Sequence, residues 1–183
     1  ALIDNFAGQW LFTRALDDHQ PDYYAFPTWD EDLRAAMRQE TKLFFREFLR
    51  NDLPIPEMLT ADFTFINDRL ATHYGMPSPG ADFTKVTITD PQRRGLLGQG
   101  SVLTVTSFPT RTSPVKRGKW VLTQLLCSEP PAPPPGVEGL KPEMVPTGSI
   151  RQRLEQHRAS PVCASCHEEM DNLGFGLEQF NGI

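Results

Sequence analysis

Five consecutive residues, Cys163-Ala164-Ser165-Cys166-His167, constrain this chain more than any other stretch. The C-x-x-C-H spacing is that of covalent haem attachment: two thiols add across two vinyl groups, and the histidine that follows binds the iron. On a helix the three side chains stand at i, i+3 and i+4 and share a face. Ser160 is a good N-cap and Pro161 a good first residue, so a helix is predicted to start just before them. Two other chemistries use a C-x-x-C pair. A tetrahedral zinc site needs four ligands. Only Cys127, His19, His73 and His157 remain, and none forms a second knuckle. A thioredoxin-like redox pair belongs in a βαβ pattern, and none surrounds this one.

Composition sets the frame. The 183 residues suffice for one or two domains with a sizeable core. A hydrophobic share of 39% and a charged share of 22% are those of a soluble globular protein. The net charge of −5 gives no support to a nucleic-acid role. No apolar run is long enough to span a membrane. With Cys163 and Cys166 committed to haem, Cys127 is left as a small buried hydrophobe or half of an intermolecular disulfide.

The first residues, Ala1 to Phe6, lack the basic start and apolar segment of a signal peptide. Haem is attached to this motif outside the bacterial cytoplasm, so the expectation is an exported protein. Both ends of the chain suggest a piece of a longer one.

Read in order, the chain is a series of capped amphipathic segments. Ile3, Phe6, Ala7, Trp10 and Leu11 have helical spacing over 2–16. A capping box from Thr28 to Glu31 predicts a long helix over about 30–50, with Leu33, Met37, Phe44 and Phe48 in its apolar stripe. Residues 57–74 read as a short helix, a break near Asp62, and a second helix closed by Gly75. Phe83 to Ile88 is the one good strand candidate. A helix over 96–106 is followed by another over about 114–127, capped by Ser113. The run Pro130-Pro131-Ala132-Pro133-Pro134-Pro135 favours an extended polyproline strap. Ser149 to Gln152 starts a helix ending near Arg158, and the motif helix follows one break later.

Several stretches together resemble the planctomycete-type cytochrome c family. They are Tyr74-Gly75-Met76, Arg93 to Leu97, Thr112 to Trp120, the proline run, His157-Arg158, and Cys163 to Phe180. The resemblance covers essentially the whole chain. It implies an uncharacterised helical domain over 1–92, with Asp22, Phe26-Pro27, Leu33-Arg34, Met37 and Glu40-Thr41 matching, and a c-type haem domain over 93–183. After the motif such proteins usually read M-D-P-L-G-F-A-L-E-N-F-D; here Asn172, Gly176, Gln179 and Asn181 depart from that pattern. The expected fold is mainly α, in two packed helical halves joined by long Pro-rich loops, the second half cytochrome-like.

The resemblance supplies no reaction, so function rests on the site. Electron transfer by a six-coordinate haem needs a second axial ligand beside His167. His157 and Met144 lead the candidates, and His19, His73, Met37, Met58 and Met76 complete them; a Met ligand would raise the potential. Met170, on the same helix face as His167, is read as packing. Arg111, Arg117 and Arg158, with Lys116 behind them, are candidates for the propionates. Trp120, Phe175 and Leu173 are candidates for apolar contact with the ring. A haem enzyme with an open distal site would use His157 as acid–base group instead. A structural or docking subunit of a redox complex is the third reading. In each, the partner is a redox protein or a larger complex.

Overall fold

Acidic residues start the longest helix. In the computed structural model, which describes residues 2–131 and 148–183, α1 spans Glu31–Arg50. Its N-cap is Asp30, whose carboxylate accepts from the Leu33 backbone N–H at 2.7 Å. Glu31 and Asp32 in the first turn and Arg50 in the last complement the helix dipole. The capping box expected from Thr28 gives way to Asp30, a stronger acceptor two residues on. The apolar stripe of α1 is buried, Leu33, Met37 and Phe44 completely.

The N-terminal segment is helical but broken. A π-helical turn, Ile3–Ala7, continues into an α turn, Gly8–Trp10. Phe12 takes a left-handed conformation at φ 58°, and a 3-10 turn, Thr13–Leu16, follows.

The largest departure from expectation lies between 57 and 74. A 3-10 turn covers Ile55–Leu59. β1, Phe63–Ile66, then replaces the predicted start of the second helix. It pairs antiparallel with β2, Thr84–Thr87, Phe63 opposite Thr87 and Ile66 opposite Thr84. The aromatic and β-branched residues of Phe63-Thr64-Phe65-Ile66 suit a pleated surface, but only a partner distant in sequence satisfies their backbone. α2, Asp68–Tyr74, starts at the Asn67 cap and ends at Gly75, whose φ of 65° is the left-handed stop expected there. The helix predicted over 96–106 is a 3-10 turn, Leu96–Gly98, followed by α3, Gly100–Val105.

The chain divides into two compact units: residues up to Thr112 together with Asn181–Ile183, and Ser113–Phe180. Residues 93–112, grouped with the second half in the sequence reading, pack within the first unit. The core of that unit gathers Leu16, Leu33, Ala36, Met37, Ile66, Leu70, Ala71 and Val105.

Beside this core lies a buried carboxyl. Glu40 is 1% exposed. Thr64 Oγ1 donates to its Oε1 at 2.7 Å and the Tyr74 hydroxyl to its Oε2 at 2.6 Å. The Gly100 backbone N–H donates to the Tyr74 oxygen at 2.7 Å, and the Arg93 guanidinium lies over the Tyr74 ring at 4.4 Å. α1, α2 and α3 thus meet at the Tyr74 hydroxyl, and β1 joins them through Thr64 on Glu40. Burial pushes the Glu40 carboxyl up from 4.5 to about 7, against the hydrogen bonds that lower it. Burial, helped by Arg93 and Arg69, pulls His73 in the opposite direction, from 6.5 to about 4.

The signs give a test. Between pH 4.5 and about 7 folded Glu40 holds its proton while the unfolded chain releases it, so its contribution falls as pH rises through this window. His73 works the other way between about 4 and 6.5, because the unfolded chain takes up the proton. Denaturant unfolding of wild type and Glu40→Gln across the window separates the two. The difference between the two proteins is expected to change by roughly 2–3 kcal/mol across it, in the variant's favour at the upper end. A pH-independent difference would show that Glu40 titrates normally.

Candidate functional site

The site is built on two helices of the second unit. α4, Pro114–Trp120, starts at Ser113, whose Oγ accepts from the Lys116 N–H at 3.3 Å. The predicted helix to about 127 continues as a π-helical turn, Val121–Leu125. α5, Ile150–His157, opens with the capping box: Gln152 N–H donates to Ser149 Oγ at 3.2 Å, and Ser149 N–H to Gln152 Oε1 at 2.9 Å. α6, Pro161–Phe175, carries the motif. Between them Ser160 is extended, with φ −78° and ψ 123°, as the following proline requires, and its side chain makes no cap bond. The break turns α5 back towards α6. His157, in the last turn of α5, comes edge-to-face with His167, ring centroids 4.8 Å apart and planes at 85°. Imidazoles on opposite sides of one metal stand farther apart, about 6 Å between centroids from two metal–nitrogen bonds of about 2 Å.

Cys163 and Cys166 are unpaired thiols, half-exposed and one turn apart on α6. The carbonyl oxygen of Pro131 lies 3.5 Å from Cys166 Sγ. This is the described end of the proline run; its remainder, 132–135, lies outside the described residues, as does Met144. His167 is oriented by a residue outside the motif. Asp171 is fully buried, and its Oδ1 lies 3.3 Å from His167 Nδ1, one helical turn earlier. Its Oδ2 faces Arg158 Nε at 3.6 Å. The usable signal was the i,i+4 spacing of a carboxylate after the motif histidine. Partial burial, then the neighbouring His167, pull His157 below its usual value, with Asp171 opposing. A neutral imidazole keeps a lone pair for a metal or a proton. Two thiols and one oriented imidazole on one accessible face form a donor set suited to covalent haem attachment.

The other candidates take varied positions. Arg117 is 1% exposed, and its Nη1 donates to the carbonyls of Leu177 at 2.7 Å and Phe180 at 2.8 Å. It clamps the turn after α6, which commits that nitrogen inside the protein. Arg158 donates to Asn172 Oδ1 at 3.1 Å besides facing Asp171. Phe175 is buried beneath two guanidiniums, Arg151 at 4.2 Å and Arg158 at 5.4 Å from its ring. Trp120 and Met170 are buried, Leu173 half-buried. Lys116 lies in the first turn of α4. Cys127 is exposed rather than buried. Arg111 falls in the first unit, stacked 4.5 Å above Phe108. His19, His73, Met37, Met58 and Met76 are also in the first unit, where Met37 and Met58 are core residues. Among the described residues no group of three or more His, Cys, Asp and Glu is arranged to hold a metal ion.

Comparison with known families divides the chain in two. Residues 93–183 match the PSCyt3 family, described as a protein of unknown function (DUF1588). Residues 1–76 match the PSD4 family, described as a protein of unknown function (DUF1592). Both are domains associated with planctomycete cytochromes c. No curated protein and no solved structure matches the chain.

α4 and α6 cross at two glycines. A Cβ on Gly118 would overlap the Met170 carbonyl, and one on Gly174 the Pro114 carbonyl. Both obstacles are backbone, so a side chain cannot move aside to relieve them. Gly118→Ala and Gly174→Ala are each expected to destabilise the protein by about 2–4 kcal/mol. Thermal unfolding followed by circular dichroism measures it. A loss below the usual scatter of surface substitutions would show that the crossing is not tight.

Proposed function

We propose that this chain, a PSD4 region followed by a PSCyt3 region, is part of an exported redox protein or complex, carries one covalent haem on Cys163 and Cys166, and transfers electrons. One observation supports it above the others: the thiols and His167 share one helix face, and His167 is oriented by a buried carboxylate. When bound, haem supplies a one-electron couple. The chain does the rest. Cys163 and Cys166 would hold the haem through thioethers, each thiol giving its sulfur and its hydrogen across one vinyl group. His167 would offer Nε2 to the iron, because Nδ1 faces Asp171. His157 is the chain's second imidazole at this place; it would be the leading second ligand once its ring moved away from that of His167. Phe175 supplies apolar support under Arg151 and Arg158, and Arg158 also pairs with Asp171. Attachment to such a motif takes place outside the cytoplasm, which makes the protein periplasmic or extracellular. No helix among the described residues is long and apolar enough to cross a membrane.

Two measurements test the reading. After expression with an export leader and a haem-attachment system, the colour is expected to stay on the chain through denaturing electrophoresis and acid–acetone extraction. It is expected to weaken in Cys163→Ala and Cys166→Ala. Extraction of the colour from wild type would reject covalent attachment. The reduced protein is expected to be low-spin and unchanged by carbon monoxide, and His157→Met to raise the potential. A carbon monoxide adduct in wild type would favour the enzyme reading, with His157 as acid–base group. An unchanged spectrum and potential in His157→Met would move the distal role to Met144.

A further inference from the structure

Asp171 stands outside the C-x-x-C-H motif, yet its side chain is 0% exposed. Burying a carboxylate is costly unless it is bonded or paired. Its two oxygens have different neighbours. Oδ1 lies 3.3 Å from Nδ1 of His167. Oδ2 makes no hydrogen bond among the described residues and faces the guanidinium of Arg158, with Nε at 3.6 Å. Arg158 is itself tied down, with Nη1 donating to Asn172 Oδ1 at 3.1 Å. An ionised carboxylate only accepts hydrogen bonds. Nδ1 of His167 thus faces the carboxylate, and Nε2 lies on the far side of the ring from it.

We propose that Asp171 is the positioning residue of His167 as an axial ligand. It fixes the tautomer that turns the lone pair of Nε2 outward, holds the ring plane, and raises the donor strength of the imidazole, which lowers the reduction potential of the haem. This inference rests on the haem reading above. An imidazole that donates to a carboxylate is a stronger ligand than one that donates to a carbonyl or to water, and a stronger donor favours ferric over ferrous iron. Arg158 moderates the effect by drawing charge towards Oδ2. The burial of Asp171 adds to it, because water does not screen the interaction there.

The test uses haem-loaded wild type, Asp171→Asn and Asp171→Glu, with covalent haem verified first by staining. Asparagine keeps the volume and an acceptor oxygen but removes the charge. The expected result is a raised potential in Asp171→Asn with haem still attached, and partial return towards wild type in Asp171→Glu. In the low-spin ferric protein, the hyperfine-shifted Nδ1 proton of His167 is expected to exchange slowly with solvent in wild type. An unchanged potential in haem-loaded Asp171→Asn overturns the proposal, because a merely structural carboxylate alters stability and leaves the couple alone. If Asp171→Asn does not accumulate, the wild-type proton decides: exchange as fast as that of an exposed imidazole overturns the proposal. A wild-type chain without covalent haem is a different failure. It removes the haem reading itself, and this inference with it.

Discussion

Two helices that touch backbone to backbone set the geometry of the second unit. Gly118 of α4 sits against the Met170 carbonyl, and Gly174 of α6 against the Pro114 carbonyl. Contact this close shuts water out of the interface, and it covers only part of α6. Cys163, Cys166, His167, Met170, Asp171 and Gly174 follow one stripe at helical spacing. The later members, Met170, Asp171 and Gly174, are buried; the earlier ones, Cys163, Cys166 and His167, remain half-exposed. One helix face thereby serves two purposes. Its C-terminal half is core, and its N-terminal half presents reactive groups. His167 stands at the boundary, with Nδ1 facing the buried carboxylate, Cys166 next to it and Cys163 one turn behind.

Arginine accounts for much of what surrounds that face. Arg117 holds the turn after α6 through two carbonyls, and Arg151 forms a forked pair with Glu178, with bonds of 2.6 and 2.9 Å. Arg151 and Arg158 together cover Phe175. A planar guanidinium can satisfy carbonyls and carboxylates through a rigid fork of donors while stacking on an aromatic ring. The first unit handles a buried charge differently. Glu40 is met by two hydroxyls, and burial favours its protonated form.

Much of this was legible in local sequence, because the responsible interactions span only a few residues. The Ser113 cap, the Ser149–Gln152 box, the left-handed Gly75 and the break before Pro161 each depend on neighbours in the chain. The C-x-x-C-H spacing belongs to the same class, since three residues on one helical face need no outside partner to be aligned. The strand Phe63–Ile66 was not legible: its hydrogen bonds go to Thr84–Thr87, so a local apolar pattern reads equally as helix. The same limit explains Thr28, where the geometry of chain entry decided for Asp30, and the 3-10 and π-helical turns that interrupt helices expected to be continuous.

What the sequence by itself determined is the chemistry on offer: two thiols and an imidazole in fixed order, and a mainly helical chain. Tertiary structure decided which groups stand behind them. Asp171 became a buried partner of His167 because α4 lies against α6 through glycine. Arg117 became a clamp rather than an accessible cation because the turn at Leu177–Phe180 returns to it. His157 met His167 because the break folds α5 back. Spacing along a helix is set by covalent geometry and local hydrogen bonds; burial and the pairing of distant groups are set by which surfaces exclude water together.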